Sequence, residues 1–282
     1  MLIKKSPAKI NLYLEIVGRA TNGYHLLDSL MVPIDIFDVI TLEKSDQLQL
    51  EIKGENAAVL QVNWQKNIII KAINLLAEKF YLTPNIKITL EKNIPIAAGL
   101  GGGSSNAATI LLMLNEFYDL HLSKAELLDL GLKLGADVPF FINGKVAFVS
   151  GIGEVLKLVK FNCDNLFLLI VNPKKPLSTQ EVFLNFAADF RSQNSQIKNN
   201  QIISTIKNRC NDLQISAIRI IPEIAIILQK ISQQKNCLVS RMSGSGASCF
   251  GVFENAEDLE LAYINMQKTF PNFYIRRAKC LE

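Results

Sequence analysis

The chain opens with a period of two. Ile10, Leu12, Leu14 and Ile16 fall on one side of an extended segment, and Asn11, Tyr13 and Glu15 on the other, which predicts a half-buried strand. Further extended runs lie at Ser29–Ile36, Val39–Glu43 and Leu48–Ile52. The period becomes helical over Ile68–Phe80, and a strand follows at Ile86–Leu90. A glycine-rich loop, Gly99–Gly103, leads into an apolar helix, Ser104–Tyr118. Ser123 with Glu126 three residues on is a capping-box signature for a helix reaching Leu134. Strands return at Val146–Val149 and Leu166–Val171.

Beyond Asn172-Pro173 the texture changes. Residues Arg191–Asn211 are rich in Gln, Asn, Ser and Lys and poor in aromatics, the composition of an exposed, mobile segment or a boundary. The remainder reads helix (Pro222–Ser232), strand (Leu238–Met242), strand (Cys249–Phe253), helix (Glu257–Thr269) and strand (Tyr274–Ala278). With Leu166–Val171 as opening strand this is β-α-β-β-α-β, the split βαβ pattern. Two α+β lobes are expected, residues 1–155 and 156–282.

A chain of 282 residues that is 49% hydrophobic is neither disordered nor collagen-like. Its longest apolar runs, Leu166–Val171 and Ile110–Leu114, fall far short of the roughly 18 residues of a membrane span. Behind Lys4 and Lys5 the sequence is broken by Lys9, Asn11 and Glu15, so no signal-peptide core fits. A cytoplasmic protein without a membrane partner is expected. Net charge is 30 − 26 = +4, too small to argue for a nucleic-acid partner. Five widely spaced cysteines without a C-x-x-C suggest free, mostly buried thiols.

Chemistry concentrates in loops. Across Ile94–Asn106 the glycines let backbone approach an anion with no Cβ in the way, and the helix that follows offers its first amides and its dipole. The loop lacks the Lys of a Walker A motif, and Ser104 stands where a dinucleotide fingerprint needs its third glycine. In G-A-D-V-P-F-F at Gly135–Phe141, Asp137 stands at a helix exit, where the dipole repels a carboxylate. It therefore needs a cation or a role, unless it only forms the turn. In S-P-A-K-I-N-L at Ser6–Leu12, Lys9 is either a solvated strand residue or a functional one. Tyr24 and His25 follow an Asn-Gly turn, and Arg241–Ser248 holds a second glycine loop between two strands, either a functional loop or a plain hairpin turn.

Together, A-K-I-N-L, P-x-x-x-G-L-G-G-G-S-S-N-A-A, G-A-D-V-P-F-F and S-G-S-G-A resemble the GHMP small-molecule kinase superfamily, from Pro7 to Ala278. P-A-K-I-N-L, G-Y-H-L-L at Gly23–Leu27 and G-A-D-V-P-F-F narrow the resemblance to a branch of the non-mevalonate isoprenoid pathway. The acceptor there is a cytidine-diphosphate-linked methylerythritol. The resemblance implies a two-lobed α+β fold. A ribosomal-protein-like, nucleotide-binding lobe spans 1–155, and a ferredoxin-like lobe, 156–282, completes the substrate cleft. It also implies transfer of the γ-phosphoryl group of ATP, with Mg²⁺, to the acceptor's 2-hydroxyl.

Lys9 and Asp137 match the catalytic pair, and Asn11, Tyr24 and His25 match substrate-side residues, with Tyr24 stacking on cytosine. Pro95, Ile96, Ala97, Ala98, Gly99, Leu100, Gly101, Gly102, Gly103, Ser104 and Ser105 match the phosphate-binding loop. Asn67 and Lys92 are carried over to the adenine, and Thr179 and Phe183 to the cytidine. The resemblance names no Mg²⁺ ligand; Ser105 is the best hydroxyl. Relatives often carry Gly or Ser at Ala97 or Ala98, which bears on loop flexibility. Two alternatives stay open: another GHMP kinase of homoserine or mevalonate type, and a non-catalytic RNA-binding module with a basic, aromatic sheet face. The net −1 of residues 1–150 (14 basic, 15 acidic) speaks against the second.

Overall fold

The computed structural model describes residues 1–55, 57–159, 166–192 and 202–281. In chain order the elements are β1 (Leu2–Arg19), β2 (His25–Lys44), β3 (Gln49–Lys53), α1 (Ala57–Val62), α2 (Ile68–Phe80), β4 (Ile86–Glu91), α3 (Gly102–Phe117), α4 (Lys124–Leu134) and α5 (Val138–Asn143). There follow β5 (Ala147–Gly151), β6 (Val155–Leu158), β7 (Phe167–Asn172), α6 (Thr179–Leu184), α7 (Ile202–Lys207), α8 (Gln214–Ile220) and α9 (Glu223–Ser232). The chain ends with β8 (Cys237–Met242), β9 (Cys249–Phe253), α10 (Ala256–Thr269) and β10 (Tyr274–Lys279). It forms two compact units. One comprises Met1–Ala8, Ile36–Ile96 and Gly101–Gly144; the other comprises Lys9–Asp35, Ala97–Leu100 and Lys145–Glu282.

In the first unit β3 pairs in parallel with β4, Gln49 opposite Lys87, and β4 pairs antiparallel with Val39–Lys44 of β2. The helices follow from their spacing. In α2, Ile69, Ile70, Ala72, Ile73 and Leu76 form one buried stripe, and the Asn67 side chain caps the helix by accepting from the Ile69 amide. The expected capping box holds α4: Glu126 accepts from the Ser123 amide at 2.9 Å while Ser123 accepts from the Glu126 amide. Helix α3 packs against α2, α4 and α5, and its residues from Ser105 to Leu111 are all buried. A helix covered by three neighbouring helices belongs in a core, and its polar Ser105 and Asn106 are hydrogen-bonded there.

The second unit contains the expected β-α-β-β-α-β arrangement. Its sheet has the order β10-β7-β9-β8, antiparallel throughout, with Tyr274 opposite Asn172 and Val171 opposite Cys249. Helices α9 and α10 pack on this sheet and bury Ile224, Ile227, Ile231, Leu259 and Met266 against Leu169, Val171, Phe253 and Ile275. Leu27–Met31 of β2 pairs with β5, and β5 with β6.

Several readings of the sequence need correction, three of them outside the site. Strand β2 is one strand of 20 residues rather than two. The acids that interrupt its apolar pattern are used by neighbours: Asp35 accepts from the Lys279 amide and Asp38 from the amides of Asn93 and Ile94. Arg191–Asn211 is not uniformly an exposed segment. Residues 193–201 lie outside the described part, but α7 buries Ile206, and Arg209 and Asn211 are anchored by hydrogen bonds. Of the cysteines, Cys210, Cys237 and Cys249 are free thiols as expected, whereas Cys280 is disulfide-bonded. Among the described residues no helix is long and apolar enough to cross a membrane.

Candidate active site

The polar side of β1 is as buried as its apolar side, so the strand is not half-solvated. Lys9 and Glu15 are only 3% and 4% exposed, and Asn11 and Tyr13 are fully enclosed. Buried polar groups require partners, and each of these has one. Lys9 Nζ donates to Asn11 Oδ1 at 2.5 Å, and Asn11 Nδ2 donates to Ser29 Oγ at 2.8 Å. Tyr13 donates to Asp28, while Arg209 pairs with both Asp28 (2.7 Å) and Glu15 (2.8 Å) and lies over the Tyr13 ring. Burial, reinforced by Asp28, pushes the Tyr13 phenol well above its usual range. Arg241 sits deeper, donating to the carbonyls of Leu12, Ile206 and Arg209, and burial lowers its guanidinium to about 10.

The two glycine loops meet in the second unit. Ser243 Oγ donates to the Gly99 carbonyl (2.9 Å) and accepts from the Asn11 amide (3.3 Å). The Lys9 amide donates to the Leu100 carbonyl, the Ser248 amide to Ala98 and the Leu177 amide to Ala97. Gly244 takes φ +55°, and a Cβ there would stand 3.0 Å from the Gly99 carbonyl oxygen and 3.2 Å from Lys9 Nζ. Asn211 Nδ2 holds the loop from beneath through the carbonyls of Met242 and Gly244, each at 2.8 Å. The Arg241–Ser248 loop is therefore part of the Lys9 environment, not a plain hairpin turn. Ala97 occupies left-handed backbone at φ 48°, the conformation a Gly would take without cost.

In the first unit, α3 begins at Gly102, two residues before the expected start, after Gly101 at φ 70°. Its first four N–H groups, Gly101 to Ser104, have no partner within the helix. The Ser105 amide is already committed to the Gly101 carbonyl at 2.9 Å, so it leaves the phosphate-facing set. The Ser105 hydroxyl is committed too. Ser6 Oγ lies 2.8 Å from both Ser105 Oγ and Asn106 Oδ1, and one hydroxyl carries one proton, so Ser105 donates to Ser6 and Ser6 to Asn106. Ser105 is fully enclosed, whereas Ser104 stays partly exposed. At Gly103 a Cβ would meet nothing within 4 Å, while at Gly102 it would crowd Ile94 and Lys92.

Lys92 and Asn67, carried over to the adenine, have structural partners. Lys92 Nζ pairs with Asp38 at 2.7 Å and donates to the Ile94 carbonyl at 2.6 Å. Burial pulls its ammonium below the usual amine range, and Asp38 opposes that shift. This pair ties the chain entering Pro95 and Ile96 to β2. Asn67 is the α2 cap.

Asp137 does not close a helix. The chain restarts at once: Asp137 stands at the N-cap position of α5, with Pro139 in the first turn, and makes no side-chain capping bond. Proline breaks a helix interior but suits its first turn. The dipole argument thus changes sign, because a carboxylate at a helix start is favoured.

The cytidine candidates lie in the second unit. His25 stacks on Phe183 (5.3 Å between ring centres, 30°) and meets the edge of Phe186. Burial, then Arg19, lowers its imidazole below the ordinary value. Thr179 Oγ1 lies 2.8 Å from Ser245 Oγ of the second glycine loop. Tyr24 is 63% exposed beside the Asn22–Gly23 turn, its amide donating to Asn22 Oδ1. Sequence reasoning missed Ser29, Arg209, Asn211 and the linking role of Ser243. Arg209 and Asn211 sit in the low-complexity segment, where no local pattern marks them.

Among the described residues no group of three or more His, Cys, Asp or Glu could hold a metal. Burial raises the thiols of Cys210 and Cys237, to about 12 and 11, and raises Cys249 as well, which leaves these three poor nucleophiles.

Comparison with known proteins gives the family. Residues 67–145 match the GHMP kinases N terminal domain, and residues 194–272 match the GHMP kinases C terminal domain. A 4-diphosphocytidyl-2-C-methyl-D-erythritol kinase of Clostridioides difficile (strain 630) is 35% identical over 280 residues, covering 96% of this chain and 93% of that protein. One from Chelativorans sp. (strain BNC1) is 38% identical over 277 residues, covering 96% and 93%. A crystal structure of 4-(cytidine 5'-diphospho)-2C-methyl-D-erythritol kinase superposes with a TM-score of 0.82 at 28% identity, covering 99% of each chain. Homoserine kinase from Cytophaga hutchinsonii, with a TM-score of 0.70 at 18% identity over 98% of this chain and 95% of that one, shares the fold.

Proposed function

The chain belongs to the GHMP kinase family, and we propose that it transfers the γ-phosphoryl group of ATP to the 2-hydroxyl of 4-diphosphocytidyl-2-C-methyl-D-erythritol. The observation that carries the phosphoryl-transfer reading is the first turn of α3: its amides are those of Gly101 to Ser104, and a Cβ on Gly103 would meet none of the described residues beyond its own helix turn within 4 Å. Amides at a helix start, without side chains in the way, suit the β- and γ-phosphates. The acceptor rests on the relatives' shared activity and on the residues matching them.

Phosphoryl transfer asks for positioning and charge neutralisation more than covalent work. The Lys9 ammonium shares the negative charge that develops on the transferring group. Asp137 accepts or orients the proton of the acceptor hydroxyl. Asn11 sits beside Lys9 on the acceptor side, and Tyr24, His25, Thr179 and Phe183 form the cytidine side. A Mg²⁺ ion bound with the nucleotide would neutralise phosphate oxygens, and a hard cation takes oxygen ligands. Ser104 and Asp137 supply such oxygens in the first unit, whereas enclosed Ser105 does not. Lys92 and Asn67 contribute to nucleotide binding through the backbone they hold. We assign nucleotide binding to residues 1–155 and completion of the substrate side to residues 156–282, with Lys9–Asp35, Ala97–Leu100 and the chain from Lys145 belonging to the second compact unit. We place the protein in the cytoplasm, with a small-molecule acceptor as its partner.

Turnover with ATP and Mg²⁺ tests the reading directly, using the cytidyl acceptor, homoserine and mevalonate in parallel. Turnover of the cytidyl acceptor alone is expected. Preference for homoserine or mevalonate would transfer the chain to another branch of the family.

A further inference from the structure

We propose that Ser29 is a positioning residue for Lys9, acting through the amide of Asn11. The inference rests on the reading of Lys9 as a catalytic cation. An ammonium only donates, so the Asn11 atom facing Lys9 Nζ at 2.5 Å has to be the carbonyl oxygen Oδ1. The amide nitrogen Nδ2 then faces Ser29 Oγ, 2.8 Å away, and needs an acceptor there. Ser29 can accept because its own proton is engaged elsewhere: Oγ donates to the Tyr13 carbonyl at 2.6 Å. Every bond in this relay has one permitted direction, from Lys9 to Asn11, from Asn11 to Ser29, and from Ser29 to the Tyr13 carbonyl.

The relay is sealed. Asn11 and Ser29 are fully enclosed and Lys9 is 3% exposed, which leaves no bulk solvent to stand in for a lost partner. Asn11 is also held from its backbone, where its amide donates to Ser243 Oγ. What the backbone leaves open is rotation of the side-chain amide. A turn of 180° would point NH₂ at the ammonium, two donors face to face. Ser29 opposes that turn by offering a lone pair on the side away from Lys9, and so keeps Lys9 Nζ at one place. Ser29 thus acts on the reaction without meeting either substrate.

Steady-state kinetics on Ser29→Ala, Ser29→Thr, Asn11→Ala, Lys9→Ala and the Ser29→Ala/Asn11→Ala double variant test this, with melting temperatures as a folding control. Loss of one oriented hydrogen bond predicts a fall in kcat of about tenfold for Ser29→Ala, with both KM values within about twofold. Ser29→Thr, which keeps the hydroxyl, is expected to recover kcat. In the Asn11→Ala background, Ser29→Ala is expected to cost nothing further, since residues that act as one unit are not additive. Should Ser29→Ala fail to fold, Ser29→Cys carries the same expectation, because a thiol is a weak acceptor. Wild-type kcat in folded Ser29→Ala, or the same loss with and without Asn11, would overturn the inference. An active Lys9→Ala protein would overturn the catalytic reading instead, whereas an inactive Lys9→Ala beside an unaffected Ser29→Ala would remove Ser29 alone.

Discussion

Gly99 and Ser243 meet backbone to backbone: a Cβ built on Gly99 would lie 2.1 Å from the Ser243 carbonyl oxygen. The residues are 144 positions apart, and the Ser243 hydroxyl closes the contact by donating to the Gly99 carbonyl. One glycine loop is therefore the seat of the other, and small changes at this point test the arrangement.

Gly99→Ala is expected to destabilise. Gly99 has φ +74°, where an L-residue costs roughly 1–2 kcal/mol, and the overpacking against Ser243 and Gly246 adds about 1–3 kcal/mol. Thermal unfolding is expected to show a melting temperature lowered by more than about 5 °C. An unchanged melting point would mean that the loops separate freely.

Gly103→Ala is the converse experiment. Among the described residues nothing outside its own helix turn lies within 4 Å of the new methyl, so the fold is expected to hold or to gain about 0.5–1 kcal/mol from the better helix residue. The KM for ATP is nevertheless expected to rise by about tenfold or more, equivalent to roughly 1.4 kcal/mol, because only a phosphate would meet the methyl. An ATP KM left at the wild-type value would place the phosphates elsewhere.

Lys92→Met separates a structural from a nucleotide role. Removing one member of a buried ion pair costs about 3–5 kcal/mol, since the Asp38 carboxylate stays enclosed without its cation. Chemical denaturation is expected to show that loss. Wild-type stability with lost ATP binding would return Lys92 to direct adenine contact.

Asp137→Asn is expected to lower kcat by about 10²–10⁴, the usual range for a general-base or proton-positioning group. Asn is isosteric with Asp and also suits a helix N-cap, so the variant is expected to fold. Calorimetry is expected to find ATP affinity nearly intact. More than about a tenth of wild-type kcat would end the assignment.

Tyr24→Ala removes an exposed ring, and its melting temperature is expected to stay put. Base stacking is worth roughly 1–3 kcal/mol, which predicts an acceptor KM raised by roughly 5- to 150-fold. The cytosine is remote from the reacting hydroxyl, so kcat and the ATP KM are expected to be spared. An effect that appears in the ATP KM would remove the stacking role.

The sequence by itself determined what depends on neighbours along the chain. The stripe of α2, the capping box of α4, the β-α-β-β-α-β order and the glycine loop ahead of α3 are each set by periodicity or by local hydrogen bonds, and each is present in the fold. Motif strings carried the family for a similar reason: they keep backbone shape and chemistry together within a few residues. Tertiary structure decided what depends on residues far apart. Whether the polar side of β1 faces water or is enclosed turns on Ser29, Asp28 and Arg209, which no local period connects to it. Lys92 looks like any strand-end lysine until Asp38, 54 positions earlier, is brought to its ammonium. Asp137 changes from a repelled to a favoured carboxylate because α5 begins directly after it. Alternation tells which side a residue takes; only packing tells what covers that side, and the energy of a buried charge depends on the cover.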